Sequence, residues 1–167
     1  LELIENCIFG VDIQCIAVQI SKLRFFISLI CEQDRDPNAG SNYGIPPLPN
    51  LETKFVSANS LRRLTRPEGE LLSEEVEELK RQLWEVRHDH FRVRTYKKKK
   101  ELRQKDERLR RALADALESV KGLDDRAARM LAEWDPYDQN MSSTFFDQVW
   151  MFNVTNGFDV VIGNPPY

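Results

Sequence analysis

No apolar run in this sequence approaches the ~20 residues needed to cross a bilayer. The most apolar stretch, Phe25 to Cys31, is short and follows Lys22 and Arg24. A transmembrane helix is thereby excluded, and Leu1-Glu2-Leu3-Ile4-Glu5 lacks the basic start of a signal peptide. Cysteine is sparse: Cys7, Cys15 and Cys31 are odd in number and lack the paired spacing of a zinc site or a disulfide framework. They read as reduced, buried thiols of a cytoplasmic protein. Glycine is sparse as well, with seven residues scattered singly at 10, 40, 44, 69, 122, 157 and 163. His88 and His90 have no Cys or acidic partners at metal spacing and read as surface residues. A formal net charge of −3 excludes a chain that is basic as a whole, so contact with nucleic acid would need a local patch.

The 167 residues that remain are enough for one ordinary domain with a modest core. "NCIFGVDI" is a short apolar run ending in Asp12, the pattern of a buried parallel strand. From Gln14 to about Glu32, Ile16, Ile20, Leu23, Ile27 and Ile30 recur at spacings of three and four. That spacing predicts a helix with this stripe packed on a sheet. Residues 33–50 concentrate Pro, Gly, Asn and Asp and read as a surface loop. "TKFVSANSL" supplies a second strand near 53–58, and "FDVVIG" (158–163) a third that would be fully buried.

Between Ser73 and Lys121 there is neither glycine nor proline. Leu72, Val76, Leu79, Leu83 and Val86 form an a/d seam, and Leu102, Leu109, Leu113, Ala116 and Val120 form another. One straight helix would span ~70 Å and leave both seams bare. An antiparallel hairpin follows, with arms near 73–92 and 98–121 and the basic stretch "RVRTYKKKK" at its tip. After Gly122, "DDRAARMLAEWDPYDQN" reads as a short helix ending before Asp135-Pro136, and "MSSTFFDQVWMFNVTNG" as an aromatic collar on the core.

The order strand, helix, strand, helical insertion, strand places Asp12, Asn59 and Asn164 at strand ends. In an open parallel α/β sheet, ligands bind at the carboxyl ends of the strands. Each residue alone has a plainer role, since Asp caps helices, Asn makes turns and Pro-Pro stiffens a sheet exit. Together they point to one crevice.

"FDVVIGNPPY" resembles the signature of amino-group methyltransferases that use S-adenosylmethionine, and "FGVDIQCIAVQISKLRFFISL" is similar to the strand and helix that hold that cofactor's ribose. The stretch "WDPYDQNMSSTFFDQVWMFNVTNGFDVVIGNPPY" resembles large adenine-specific DNA methyltransferases of restriction-modification systems, the type IIG and related enzymes. The resemblance implies an α/β fold, a partial Rossmann-like sheet of three strands with a long antiparallel helical hairpin inserted. Residues 1–66 would form a partial core, 67–134 the insertion and 135–167 the return to the core. It further implies that the Asn164 side-chain oxygen and the Pro165 carbonyl accept the two protons of the target amine. Tyr167 would stack on an adenine flipped out of double-stranded DNA. Asp12 is implied to bind the cofactor ribose and Ile13 to cover its adenine ring. Asn59 stands where the family commonly has an acidic residue that meets the adenine amine. In the basic stretch, Lys97, Lys98, Lys99, Lys100, Arg92 and Arg94 are candidates for phosphate contact, against the plainer reading of a solvated hairpin tip.

The family's glycine-rich cofactor loop has no counterpart in the sequence. A chain that opens on Leu and closes on this motif is expected to be a piece of a larger enzyme. Alone it should be inactive, bind S-adenosylmethionine weakly or not at all, and self-associate through incomplete sheet edges. In the family's sheet the first strand lies between those ending at Asp12 and Gly163, so a gap is expected at the centre. Two further readings share these features: a glutamine methyltransferase acting on release factor, and a helical protein-interaction module.

Overall fold

The computed structural model describes residues 2–34, 36–45, 47–64, 73–118 and 125–164. Leu72, Val120, Pro165 and Tyr167, and the expected boundary near 66, lie outside them. The chain runs through α1 (Glu2–Cys7), β1 (Gly10–Asp12), α2 (Cys15–Cys31), a 3-10 helix (Ala39–Gly44) and β2 (Phe55–Ser57). It continues through α3 (Glu74–Arg92), α4 (Tyr96–Glu118), α5 (Asp125–Glu133) and α6 (Gln148–Phe152). No described helix is long and apolar enough to cross a membrane.

The two strands pair in parallel, with Gly10 opposite Phe55, Val11 opposite Val56 and Asp12 opposite Ser57. The pairing is tight at its start. A Cβ on Gly10 would fall 2.5 Å from the Phe55 ring, so only glycine fits there without displacing it. Beyond β2 the chain bridges to a later segment, Ala58 to Ser143 and Arg63 to Phe146, again in parallel.

The expected third strand is absent from the described residues. Residues 158–163 pair with neither strand, and Val160, Val161 and Ile162 are 75%, 79% and 93% exposed. Phe158 does reach Phe9 just before β1, with ring centroids 5.9 Å apart. Past that anchor no strand among the described residues supplies the ladder that an apolar strand requires. The amino-terminal run also departs from expectation, since residues 2–7 are helical and only 10–12 extended.

Helix α2 forms as expected but presents another face. Val18 and Lys22 are buried, and Phe25, Phe26 and Leu29 pack against Ile4, Leu51 and Phe91. Ile16, Ile20, Leu23, Ile27 and Ile30 are exposed by 40% to 64%. The helix is apolar around most of its circumference, so periodicity marks a helix without deciding which side meets the sheet. The thiols also lie further out than expected, with Cys7 and Cys31 exposed at helix ends.

Helix α3 begins at Ser73, whose side chain accepts a hydrogen bond from the Val76 amide, followed by Glu74, Glu75 and Glu77 in the first turn. Both features favour a helix start. Residues 93–95 separate it from α4, and the contacts Arg87–Asp106 and Arg103–His90 show the two helices running in opposite directions. Lys97 to Lys100 belong to the first turn of α4 rather than to the turn, because lysine is a good helix former. Val76, Leu83, Val86, Leu109, Leu113 and Leu117 meet Ala128 and Leu131 of α5, and Trp134, Phe145, Trp150, Met151 and Phe152 complete that core.

One buried carboxylate joins these pieces. Asp106, fully buried on α4, accepts from Arg87 Nε at 2.8 Å and from Arg110 Nε at 2.7 Å. Arg87 donates onward to the Trp150 carbonyl, and Arg110 to the carbonyls of Ala132 and Trp134. The Tyr137 hydroxyl lies 3.4 Å from Asp106, and burial together with that carboxylate raises its pKa well above the usual phenol value. Asp106→Ala would leave two buried guanidiniums without their common acceptor. It should lower unfolding free energy by about 3–5 kcal/mol, read as a lower urea midpoint.

His90, expected at the surface, is fully buried against the Tyr137 ring at 4.7 Å, and its Nε2 accepts from Arg103. Burial, reinforced by Arg103 and Lys99 and opposed by Glu52 and Asp106, pushes its pKa down from 6.5 to about 4. Below 6.5 the unfolded imidazole takes up a proton that the folded one refuses until about 4. Stability should therefore fall as pH drops through that window and level off beneath it. Unfolding free energy measured against pH should show this slope in the native chain and lose it in His90→Gln.

Candidate functional site

The parallel register brings the ends of β1 and β2 side by side, and the Ala58 amide donates to the Asp12 carbonyl at 2.9 Å. Asp12 is exposed at this edge. One carboxylate oxygen, Oδ1, accepts from the Gln14 amide at 2.8 Å, leading the chain into α2. Among the described residues its Oδ2 has no hydrogen-bond partner, so the side chain retains an acceptor directed to solvent. Ile13, 60% exposed, offers an apolar side chain beside it.

The backbone under Ile13 is held by two hydroxyls, Ser57 Oγ at 3.2 Å and Ser142 Oγ at 2.9 Å, both donating to its carbonyl. Asn59, half-buried, stands next along the edge. Its Oδ1 accepts from the Leu61 amide at 3.1 Å, a turn role, and its own amide donates to the Ser143 carbonyl at 3.0 Å. Asp12, Ile13 and Asn59 are thus gathered at one carboxyl edge. Ser57, Ser142 and Ser143 complete it and were not singled out from the sequence. The available signal was small polar residues following a strand and an Asp-Pro turn, which is common in loops.

Asn164 is exposed and, among the described residues, has no hydrogen bond to Asp12 or Asn59. The structure therefore does not join it to that edge, and Pro165 and Tyr167 lie outside the described residues. The basic residues divide. Arg92 is committed to Glu5 through three contacts of 2.5–2.9 Å, whereas Arg94, Lys97, Lys98 and Lys100 are exposed and Lys99 is half-buried. No group of three or more potential metal ligands occurs among the described residues.

No curated protein and no solved structure matches the chain. A family model described as Eco57I restriction-modification methylase matches residues 6–167, which span both strands, the paired helices and the run through Asn164. A match over nearly the whole length assigns a methyl-transfer role in restriction-modification, and the chain belongs to the Eco57I restriction-modification methylase family.

Proposed function

We propose that this chain is the part of an S-adenosylmethionine-dependent DNA methyltransferase that carries the methyl-acceptor motif and one side of the cofactor site, and that the acceptor is the exocyclic amine of adenine. The observation that carries the reading is the shared edge of β1 and β2, where Asp12, with a free carboxylate oxygen, stands beside exposed Ile13. Those two residues suit a ribose and an adjoining flat ring: a carboxylate accepts from vicinal hydroxyls and a branched aliphatic covers a base. Asn59 Oδ1 already accepts one backbone hydrogen bond and has a second lone pair for an amine. When bound, the cofactor supplies an electrophilic methyl group on a sulfonium.

Adenine's exocyclic nitrogen is a poor nucleophile because its lone pair is delocalised into the ring. Two acceptors that receive hydrogen bonds from its two N–H groups favour a tetrahedral nitrogen and free the lone pair. Asn164 Oδ1 and the Pro165 carbonyl fill those positions in this reading. Held in that way, the nitrogen would present its lone pair to the cofactor's methyl group, and the acceptors Asn164 Oδ1 and the Pro165 carbonyl would keep it so oriented until solvent takes up the surplus proton. Consecutive prolines pre-set φ and remove two donors from the turn, keeping the acceptors placed. Tyr167 stacks on the flipped base.

DNA phosphates meet Lys97, Lys98 and Lys100 together with Arg94, while Lys99 is half-buried and Arg92 is held by Glu5. The cluster Lys97 to Lys100 opens α4, where the helix dipole is already positive. An anion relieves that repulsion, which is the physical argument for a phosphate there.

In the complete methylase, Asn164→Ala should cut single-turnover methylation of adenine-containing DNA roughly a hundredfold or more, with thermal stability and cofactor affinity unchanged. Tyr167→Ala should also weaken capture of the base, by ~1–3 kcal/mol. Near-normal methylation by Asn164→Ala would remove the catalytic assignment. For the lysines, a salt titration of DNA affinity with Lys97, Lys98 and Lys100 all replaced by Ala should flatten the log–log slope by about 2–3, equally for all sequences. An unchanged slope would leave that end of α4 as a solvated surface.

A further inference from the structure

Three parts of the chain meet at the peptide that joins Ile13 to Gln14. Its carbonyl, on Ile13, lies past the last strand pair, Asp12 with Ser57. That carbonyl accepts from two hydroxyls, Ser142 Oγ at 2.9 Å and Ser57 Oγ at 3.2 Å, which come from residues 129 and 44 positions away. The N–H of the same peptide, on Gln14, donates to Asp12 Oδ1 at 2.8 Å. One planar unit thus carries the two serines on its carbonyl and the Asp12 carboxylate on its amide.

The consequence for Asp12 is direct. A planar peptide cannot turn its carbonyl without turning its N–H, so an orientation imposed by the serines at one end is passed to the carboxylate at the other. A carbonyl that accepts two hydrogen bonds is also polarised, which makes the attached amide a stronger donor to Oδ1. With Oδ1 held at Gln14, Oδ2 is left pointing in one direction. This restraint matters because Asp12, Ile13 and Gln14 are all exposed, and packing alone does little to fix them.

The two serines are placed by different means. Ser57 ends β2, and Cys15 Sγ donates to its Oγ at 3.5 Å, leaving the hydroxyl hydrogen for Ile13. Ser142 arrives on the segment that returns from the paired helices. The Ser143 amide donates to the Ser57 carbonyl at 2.9 Å and the Asn59 amide to the Ser143 carbonyl at 3.0 Å. That segment therefore runs parallel to the end of β2, bridging Ser143 to Ala58, and Ser142 reaches from it to the end of β1.

We propose that Ser142, together with Ser57, is a positioning residue for binding of the methyl donor: the two hydroxyls fix the Ile13–Gln14 peptide and, through its N–H, aim the Asp12 carboxylate at the ribose hydroxyls of S-adenosylmethionine. This rests on the edge of β1 and β2 being the cofactor site. The serines act through Asp12 and need no cofactor contact of their own.

Calorimetric titration of the complete methylase with S-adenosylmethionine tests it. Asp12→Ala should weaken binding about tenfold or more and Ser142→Ala about fivefold, while Ser142→Thr, which keeps a hydroxyl, should stay within about twofold of the unaltered enzyme. Ser57→Ala should weaken binding in the same direction. In steady state the Ser142→Ala loss should appear in the KM for the cofactor and not in kcat. Amide hydrogen exchange at Gln14, measured without cofactor, should quicken in Ser142→Ala. Normal binding by Asp12→Ala would overturn the cofactor assignment of this edge and the role of the serines with it. Weak binding by Asp12→Ala beside normal binding by Ser142→Ala overturns the role of the serines alone, as does equal loss in Ser142→Thr and Ser142→Ala, or unaltered exchange at Gln14. Should Ser142→Ala fail to fold, Ser57→Ala is judged by the same binding and exchange criteria.

Discussion

Two arginines sharing one carboxylate hold this molecule in its arrangement. Asp106 lies inside the α3–α4 pair, yet the guanidiniums it orients reach out to carbonyls at Ala132, Trp134 and Trp150. Those carbonyls belong to the end of α5 and to α6, so the paired helices are fastened by directed bonds to the segment that returns towards the sheet. Hydrophobic packing alone would tolerate sliding. A buried guanidinium that must find both a carboxylate and a carbonyl does not.

Fixing that returning segment has consequences at the sheet edge. Residues 134–152 carry Ser142 and Ser143, which bond to Ile13 and to the backbone around Ser57 and Asn59. The strand ends are therefore braced from the side opposite β1 by a segment positioned through the helices. In this way the paired helices, remote in sequence, support the geometry at Asp12 and Ile13. The same segment leads on to Phe158, seated near Phe9, before the exposed run to Asn164. Val160 to Ile162 have the composition of an interior strand, yet they are 75–93% exposed.

A methylase of the Eco57I type has a methyl acceptor and a methyl donor to bring together. The sequence carries Asn-Pro-Pro-Tyr at 164–167 and Asp12 at the end of β1, the residues we propose for those two roles. The structure contributes the bracing by Ser57, Ser142 and Ser143, which the motif alone does not contain.

Sequence alone determined whatever depends on local rules. The start of α3 at Ser73, the two charged helices without glycine or proline, and Asp12 at the end of a short strand were all legible, because caps, spacing and composition act over a few residues. It did not determine which face of α2 turns inward, since an all-round apolar helix has no preferred side until a sheet is packed on it. Nor could spacing reveal that His90 is buried beside Tyr137, 47 positions away, or that Asp106, already four residues from Arg110 on α4, also receives Arg87, because those partners meet only when the helices fold back. Residues 158–163 show the limit most directly: their composition specifies a strand, but a strand exists only with a neighbour to bond, and that is a property of the assembled sheet.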